Sequence, residues 1–288
     1  MVQNQVTLDT LQPLTSVRTV LGETPIYDPR LAAFFWVDIK SQRLYRCAAD
    51  GSAVQSFTVP VFTSAALLTT KEQCLLLVSQ SGLYLFDLAS SQCELLLPLE
   101  LADQGLRPNE AQIDPAGNLW FSTMGVNVES EAGALFKYRI HQAQPQLVME
   151  HITIPNTLVF YADHVYFADT AKGQFYCCKP DGSEIKAFGQ PIKGSPDGSC
   201  LCEDGLLLNA NWALGELQLL DLKQELRCLG SFKVPAQQPS SCALGGTDGQ
   251  HLLVTSATDG LTELHAADGQ IFMANTNLHG QPYNYFAL

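Results

Sequence analysis

Charge is scarce in this chain, and positive charge is scarcer still. Lys and Arg number 16 against 29 Asp and Glu, and charged residues make up 16% of the 288 positions, below the roughly 25% of an average soluble domain. A net charge of −13 offers no basic patch for nucleic acid or an anionic lipid surface, so neither is expected as a partner. No apolar run reaches the roughly 18 residues of a membrane span. The opening "MVQNQVTLDTLQPL" has neither the basic start nor the apolar stretch of a secretory signal. The nine cysteines are scattered without CxxC pairing and are expected to be reduced core thiols in a cytoplasmic protein. The adjacent pair Cys177 and Cys178 lies in a strand-like run, where the pleat sends neighbours to opposite faces. The six histidines are isolated, with no HExxH to hold a metal and no GxSxG to present a serine nucleophile. No amphipathic helix of three turns is found either.

What is present is monotonous. Short apolar runs, "AFFWVDI", "CLLLVSQ", "NLWFSTM", "HVYFADT", "GLLLNAN" and "HLLVTSA", are separated by Gly, Pro, Asp and Ser, which reads as all-β. Each run follows a weaker strand that begins just after a polar residue: Glu23, Ser64, Asn109, Asn156, Asp197 and Ser240, spaced 41 to 47 residues apart. That is the period of one four-stranded propeller blade. A third strand follows in each unit, from "RLYRC" and "GLYLFDL" through to "ELHAAD", and a fourth in most, such as "VQSFTV". The expected fold is a six-bladed β-propeller with four antiparallel strands per blade, a single domain over residues 1–288. The strand-like "QVTLDTL" near the amino terminus is expected to complete the last blade and close the ring.

Seven Asp-Gly pairs punctuate the chain, and most mark hairpin turns. Asp197-Gly198 is set apart because Asp197 falls on the repeat frame. In a propeller, residues that precede the inner strands meet at one end of the central channel. Two carboxylates and two amides aimed at one axial space repel or bind a proton unless a cation intervenes. Oxygen donors favour a hard divalent ion, Ca²⁺ before Mg²⁺, with Mn²⁺ or Zn²⁺ open. Arg107, two residues before Asn109, has only uncharged counterparts in the other repeats (Leu21, Phe62, Ile154, Ser195, Gln238). Its planar fork can balance charge or grip an oxygen-rich ligand.

The segments "LGETPIYDPRLAAFFWVDIKSQRLYR", "LRPNEAQIDPAGNLWFSTMG", "ITIPNTLVFYADHVYFADT", "GSPDGSCLCEDGLLLNANW" and "PSSCALGGTDGQHLLVTSA" resemble, in order, the blades of the senescence marker protein/gluconolactonase/luciferin-regenerating-enzyme-like family, which includes regucalcin. The resemblance implies a six-bladed propeller, one divalent metal held by Glu23, Asn156 and Asp197, and substrate contacts by Arg107 and Asn109. It also implies hydrolysis of a sugar lactone such as gluconolactone. The chain departs from the family pattern at Glu110-Ala111, where Asp-Gly is common, and at Thr157, where glycine is common. Glu110 is therefore counted with the substrate shell. A further acidic position of some members falls near Asn127, with Glu129 and Glu131 close by.

On this reading the metal polarises the lactone carbonyl and Asp197 is the catalytic residue, acting on water either as base or as proton relay. Three other readings stay open: a metal- or ligand-binding propeller without turnover, an esterase or phosphotriesterase on a non-sugar substrate, and a protein-interaction propeller. Whether the chain is a monomer or a dimer is not legible in the sequence.

Overall fold

The computed structural model describes residues 6–288. Six separate four-stranded antiparallel sheets are arranged so that their first strands pack against one another around an axis, which is a six-bladed β-propeller. The inner strands are Gly22–Asp28, Ala65–Leu68, Leu106–Ile113, Pro155–Tyr161, Pro196–Leu201 and Pro239–Gly245, numbered here as blades 1 to 6. Among the described residues no helix is long and apolar enough to cross a membrane.

Two expectations shift in blade 6. The closing strand is Gln12–Arg18, paired with Gln270–Asn275, whereas the upstream segment forms no strand of its own: it bridges from Leu8 to Thr276 and bonds through Thr7 and Asp9 to residues 275–277. Gln5 of that segment lies outside the described residues. An edge strand pairs on one side only and tolerates Pro13, so its alternation is weak. The third strand is Gln270–Asn275 rather than "ELHAAD", which forms the turns leading to it.

The core lies between blades. Trp120 and Leu135 of blade 3 pack on Phe167 and Cys178 of blade 4. On the other face of blade 4, Phe175 and Cys177 meet Leu207 and Leu220 of blade 5. Cys177 and Cys178 thus serve opposite faces, as the pleat requires. In blades 1, 4 and 5 the second strand ends in a polar residue that pins the loop entering the inner strand. Asp38 accepts from the Val20 and Leu21 amides, Asp169 from Thr153 and Ile154, and Asn211 from Ser195. Those three runs end in polar residues for this reason, and the pinning fixes where their inner strands begin.

The opposite end of the channel is crossed by the segment 279–288. It hydrogen-bonds in turn to blade 5 (Gln281 to the Leu201 carbonyl), blade 3 (Asn284 to Ile113) and blade 2 (Phe286 to Leu68). Tyr283 donates to Leu244 of blade 6, and Arg30 of blade 1 lies 4.5 Å from the Tyr285 ring centroid. A cavity of about 160 Å³ remains above the strap, lined among others by Gln112, Ser199, Cys242 and Tyr283. Access from solvent to the channel therefore favours the other end.

Candidate active site

At that other end, five of the six inner strands carry a one-residue β-bulge, at Glu23/Ile26, Pro108/Ala111, Asn156/Val159, Pro196/Ser199 and Pro239/Ser241. A bulge re-aims side chains at the rim of a sheet, and here it falls on the frame that carries Glu23, Asn109, Asn156, Asp197 and Ser240. The Asp-Gly pairs divide accordingly. Gly51, Gly182, Gly205, Gly249, Gly260 and Gly269 all have positive φ, as turns demand, and Gly198 does not. A Cβ on Gly198 would lie 2.2 Å from Ser241 Oγ and 3.0 Å from the Ser240 carbonyl. Glycine is required there by the close approach of blade 6, so Asp197 stands in a strand and not in a turn.

Blades are tied at this end by side chains that donate to the next blade's carbonyl. Thr24 reaches Ser64 at 2.9 Å, Gln80 reaches Leu106 at 2.8 Å, and Asn109 reaches Pro155 at 3.0 Å. Thr170 reaches Pro196 at 2.6 Å, and Ser240 reaches Gly22. Because Thr170 gives its proton to Pro196, it must accept from Asn156 Nδ2, at 2.9 Å, which turns Asn156 Oδ1 the other way. That oxygen accepts from Asn109 Nδ2 at 2.8 Å, and Asn109 Oδ1 accepts from Arg107 Nη1, also at 2.8 Å. Asn109 is thus engaged on all sides and orders its two neighbours. Among the described residues Arg107 donates only through Nη1, to Asn109 and the Pro108 carbonyl, leaving the rest of its fork without a protein partner.

Glu23, Arg107, Asn109, Asn156 and Asp197 are each no more than 9% exposed. Burial, then the charge of Glu110, pushes Glu23 up to about 8, against the Thr24 amide and Arg107, which act to lower it. Burial raises Glu110 to about 7 despite hydrogen bonds from the Ala111 and Thr157 amides. Asp197 is raised well above the usual carboxylate range by burial, then by Glu23, then by Glu110. Burial lowers Arg107, while Glu23, Asp259 and Asp197 raise it. Three carboxylates and one guanidinium therefore share one electrostatic environment. Among the described residues none of the three carboxylates is ion-paired within 4.0 Å (Lys40 takes Asp259, at 2.6 Å).

That surplus of buried negative charge fits a divalent cation, and the donor chemistry agrees: two carboxylates and an amide oxygen, all hard. No three His, Cys, Asp or Glu side chains form a metal-holding group among the described residues, so a cation would rest on Glu23, Asp197 and the amide of Asn156, with water completing its shell. Ser64 Oγ on the same frame is buried without a hydrogen-bond partner.

Asn127 is placed differently. It is exposed, in the loop after Leu119–Gly125, and bonds to Glu129 through both its main-chain and side-chain nitrogen. Glu131 pairs with Lys172 at 2.9 Å. This loop leaves blade 3 at the mouth of the channel, but none of its acids is bonded to the buried group. At the Thr157 departure the hydroxyl reaches blade 5 and donates to the Asp197 carbonyl. Sequence reasoning missed Thr170 and Asn209, whose only sign was their place at the polar ends of "ADT" and "NAN".

The family model described as the SMP-30/gluconolactonase/LRE-like region matches residues 21–258. The chain belongs to this family. It is 30% identical to the L-arabinolactonase of Azospirillum brasilense over 95% of this chain and 94% of that one. It is 26% identical to the 6-deoxy-6-sulfogluconolactonase of Pseudomonas putida, over 97% and 99%. A crystal structure of regucalcin from Agrobacterium tumefaciens strain C58, a calcium-binding protein, superposes with a TM-score of 0.89 at 27% identity, covering 97% of this chain and 98% of that one.

Proposed function

We propose that this chain is a metal-dependent lactonase that opens a sugar lactone by adding water to its carbonyl. The observation that carries the reading is the set of buried, unpaired carboxylates beside one guanidinium at one end of the channel, in a family whose relatives include two sugar lactonases spanning nearly the whole chain. Glu23, Asn156 and Asp197 would hold the cation. When bound, it supplies Lewis-acid polarisation of a carbonyl oxygen.

The remaining chemistry falls to the chain's own groups. Arg107, with part of its fork unengaged, grips hydroxyl oxygens of the sugar. Asn109 keeps that guanidinium in register with Asn156, so that binding orients the ester bond. Glu110 would accept from a ring hydroxyl. Asp197 takes the proton of the attacking water, since it is the carboxylate whose proton affinity both other acids raise. The water oxygen bonds to the carbonyl carbon, the ring C–O bond breaks, and the proton passes to the departing ring oxygen, giving the hydroxy acid.

The test is Asp197→Asn, isosteric and unable to take the proton. With a native circular-dichroism spectrum, its turnover of pentono- and hexonolactones in a pH-stat should fall by about 10²–10⁴, and a chelator should abolish wild-type turnover reversibly. Full activity in the variant would remove Asp197 from the chemistry, and full activity of the chelated wild type would remove the metal.

A further inference from the structure

Two local features around Asp197 run against ordinary stability, and both converge on one atom. Thr157 has φ of 52°, a left-handed backbone that a β-branched residue rarely adopts. It is fully buried, and its hydroxyl donates to the main-chain carbonyl of Asp197 in the next blade. Asn209, also fully buried, donates from Nδ2 to the same carbonyl at 2.9 Å and to Ser199 Oγ at 2.8 Å, with Thr157 Oγ1 at 3.1 Å sharing one of the two hydrogens. To do so it leaves its own Oδ1 without a partner. A buried carbonyl with one donor would already be satisfied; this one has both lone pairs engaged.

A related strained threonine, Thr24 with φ of 43°, reaches the Ser64 carbonyl of blade 2. There no amide joins the hydroxyl, and the tethered residue carries no charge. The doubled tether thus belongs to Asp197; Glu23, the other carboxylate on the frame, is approached only one residue earlier, at the Gly22 carbonyl, by Ser240. Strain that persists at such a point is held by the surrounding structure and marks a geometry being enforced.

We propose that Thr157 and Asn209 are positioning residues for Asp197, clamping its carbonyl from two blades so that its carboxylate is held at the channel axis. The inference rests on the lactonase reading through the role given there to Asp197. Neither residue touches substrate. What they fix is the main chain from which the carboxylate projects, and the bulge at Pro196/Ser199 gives that chain a freedom a regular ladder would deny it.

The experiment compares Thr157→Gly, Thr157→Ser and Asn209→Ala in the full chain, measuring Ca²⁺ uptake by calorimetry, with Zn²⁺ and Mn²⁺ in parallel, alongside thermal melting of the metal-free protein. Thr157→Gly relieves the left-handed strain while deleting the hydroxyl. It should melt at or above the wild-type temperature and yet bind the cation at least tenfold more weakly. Thr157→Ser, which keeps the hydroxyl, should bind within threefold of wild type, and Asn209→Ala should lose at least tenfold. A residue that merely supports the fold would move stability and affinity together. Wild-type affinity in both Thr157→Gly and Asn209→Ala would overturn the proposal while leaving the lactonase reading intact. A wild-type protein that takes up none of the three cations would overturn both.

Discussion

Asn109 and Asn156, 47 residues apart, meet across a blade boundary, Nδ2 of the first donating to Oδ1 of the second at 2.8 Å. Through this contact a substrate-side arginine and a candidate metal ligand are held by one amide. Asn109→Ala removes the links to Arg107, Pro155 and Asn156 together and strands buried partners. It should lower stability by about 1–3 kcal/mol, read from urea midpoints, and lower kcat/KM for lactone at least tenfold. Asn109→Asp keeps the bond from Arg107 but sets an oxygen against Asn156 Oδ1, so it should not rescue. Rescue by Asp would show that the amide hydrogens are dispensable.

The clustered carboxylates, Glu23 buried and Glu110 half-buried, give the metal-free protein a definite pH dependence. Glu23 is raised from 4.5 to about 8 and Glu110 from 4.5 to about 7, so between these values the folded state retains protons that the unfolded state has released. Stability then falls as pH rises. The contribution is fully present below about pH 4.5 and is lost through about pH 7 for Glu110 and about pH 8 for Glu23. Urea midpoints in a chelator should decline from pH 5 to pH 8. Saturating cation, which favours the ionised carboxylates, should flatten or reverse the slope. A chelated midpoint that rises across this window would contradict the shared electrostatic environment.

The propeller was legible because its signal is repeated: six second strands, each an apolar run that follows a weaker strand, set the period and located Glu23, Asn156 and Asp197 on one frame. Blade 6 was misjudged at both outer strands because an edge pairs on one side and imposes little pattern, and because the Asp268-Gly269 turn comes before the third strand, not after it. Around the site, the sequence showed which residues share a frame but not how their hydrogens are directed. Asn109 reads as a free substrate contact until Thr170 is seen to fix the orientation of Asn156. Thr157 reads only as a departure from a common glycine until its hydroxyl is seen to reach the next blade. Such directions depend on contacts between residues 14 to 40 positions apart, beyond the reach of a strand-length window.

Gly198 faces Ser241 so closely that even a methyl group must displace something. Gly198→Ala should destabilise by about 1–3 kcal/mol through overpacking and weaken cation uptake by pushing Asp197 off its position. Ser241→Gly removes both the Oγ and the Cβ that the new methyl would meet, at 2.2 and 2.5 Å. The double variant should therefore recover at least half the loss, a coupling readable by a double-mutant cycle of chemical denaturation. Strict additivity of the two changes would mean that the glycine serves something other than this approach.

The strap at the far end can be separated from the chemistry. Phe286 is fully buried, stacks on Tyr138 with ring centroids 6.3 Å apart, and is tied through its main chain to Leu68 and Thr70. Truncating a buried phenylalanine typically removes about 3–5 kcal/mol, so Phe286→Ala should shift the urea midpoint strongly. The candidate ligands lie at the opposite end of the inner strands, so cation affinity of the folded variant should stay within threefold of wild type. Combining Phe286→Ala with Asp197→Asn should give additive changes in stability, as expected for sites that share no partners. If Phe286→Ala instead weakened cation binding in proportion to stability, the strap would be setting the geometry of the whole channel, and the division between a closed structural end and an open reactive end would have to be abandoned.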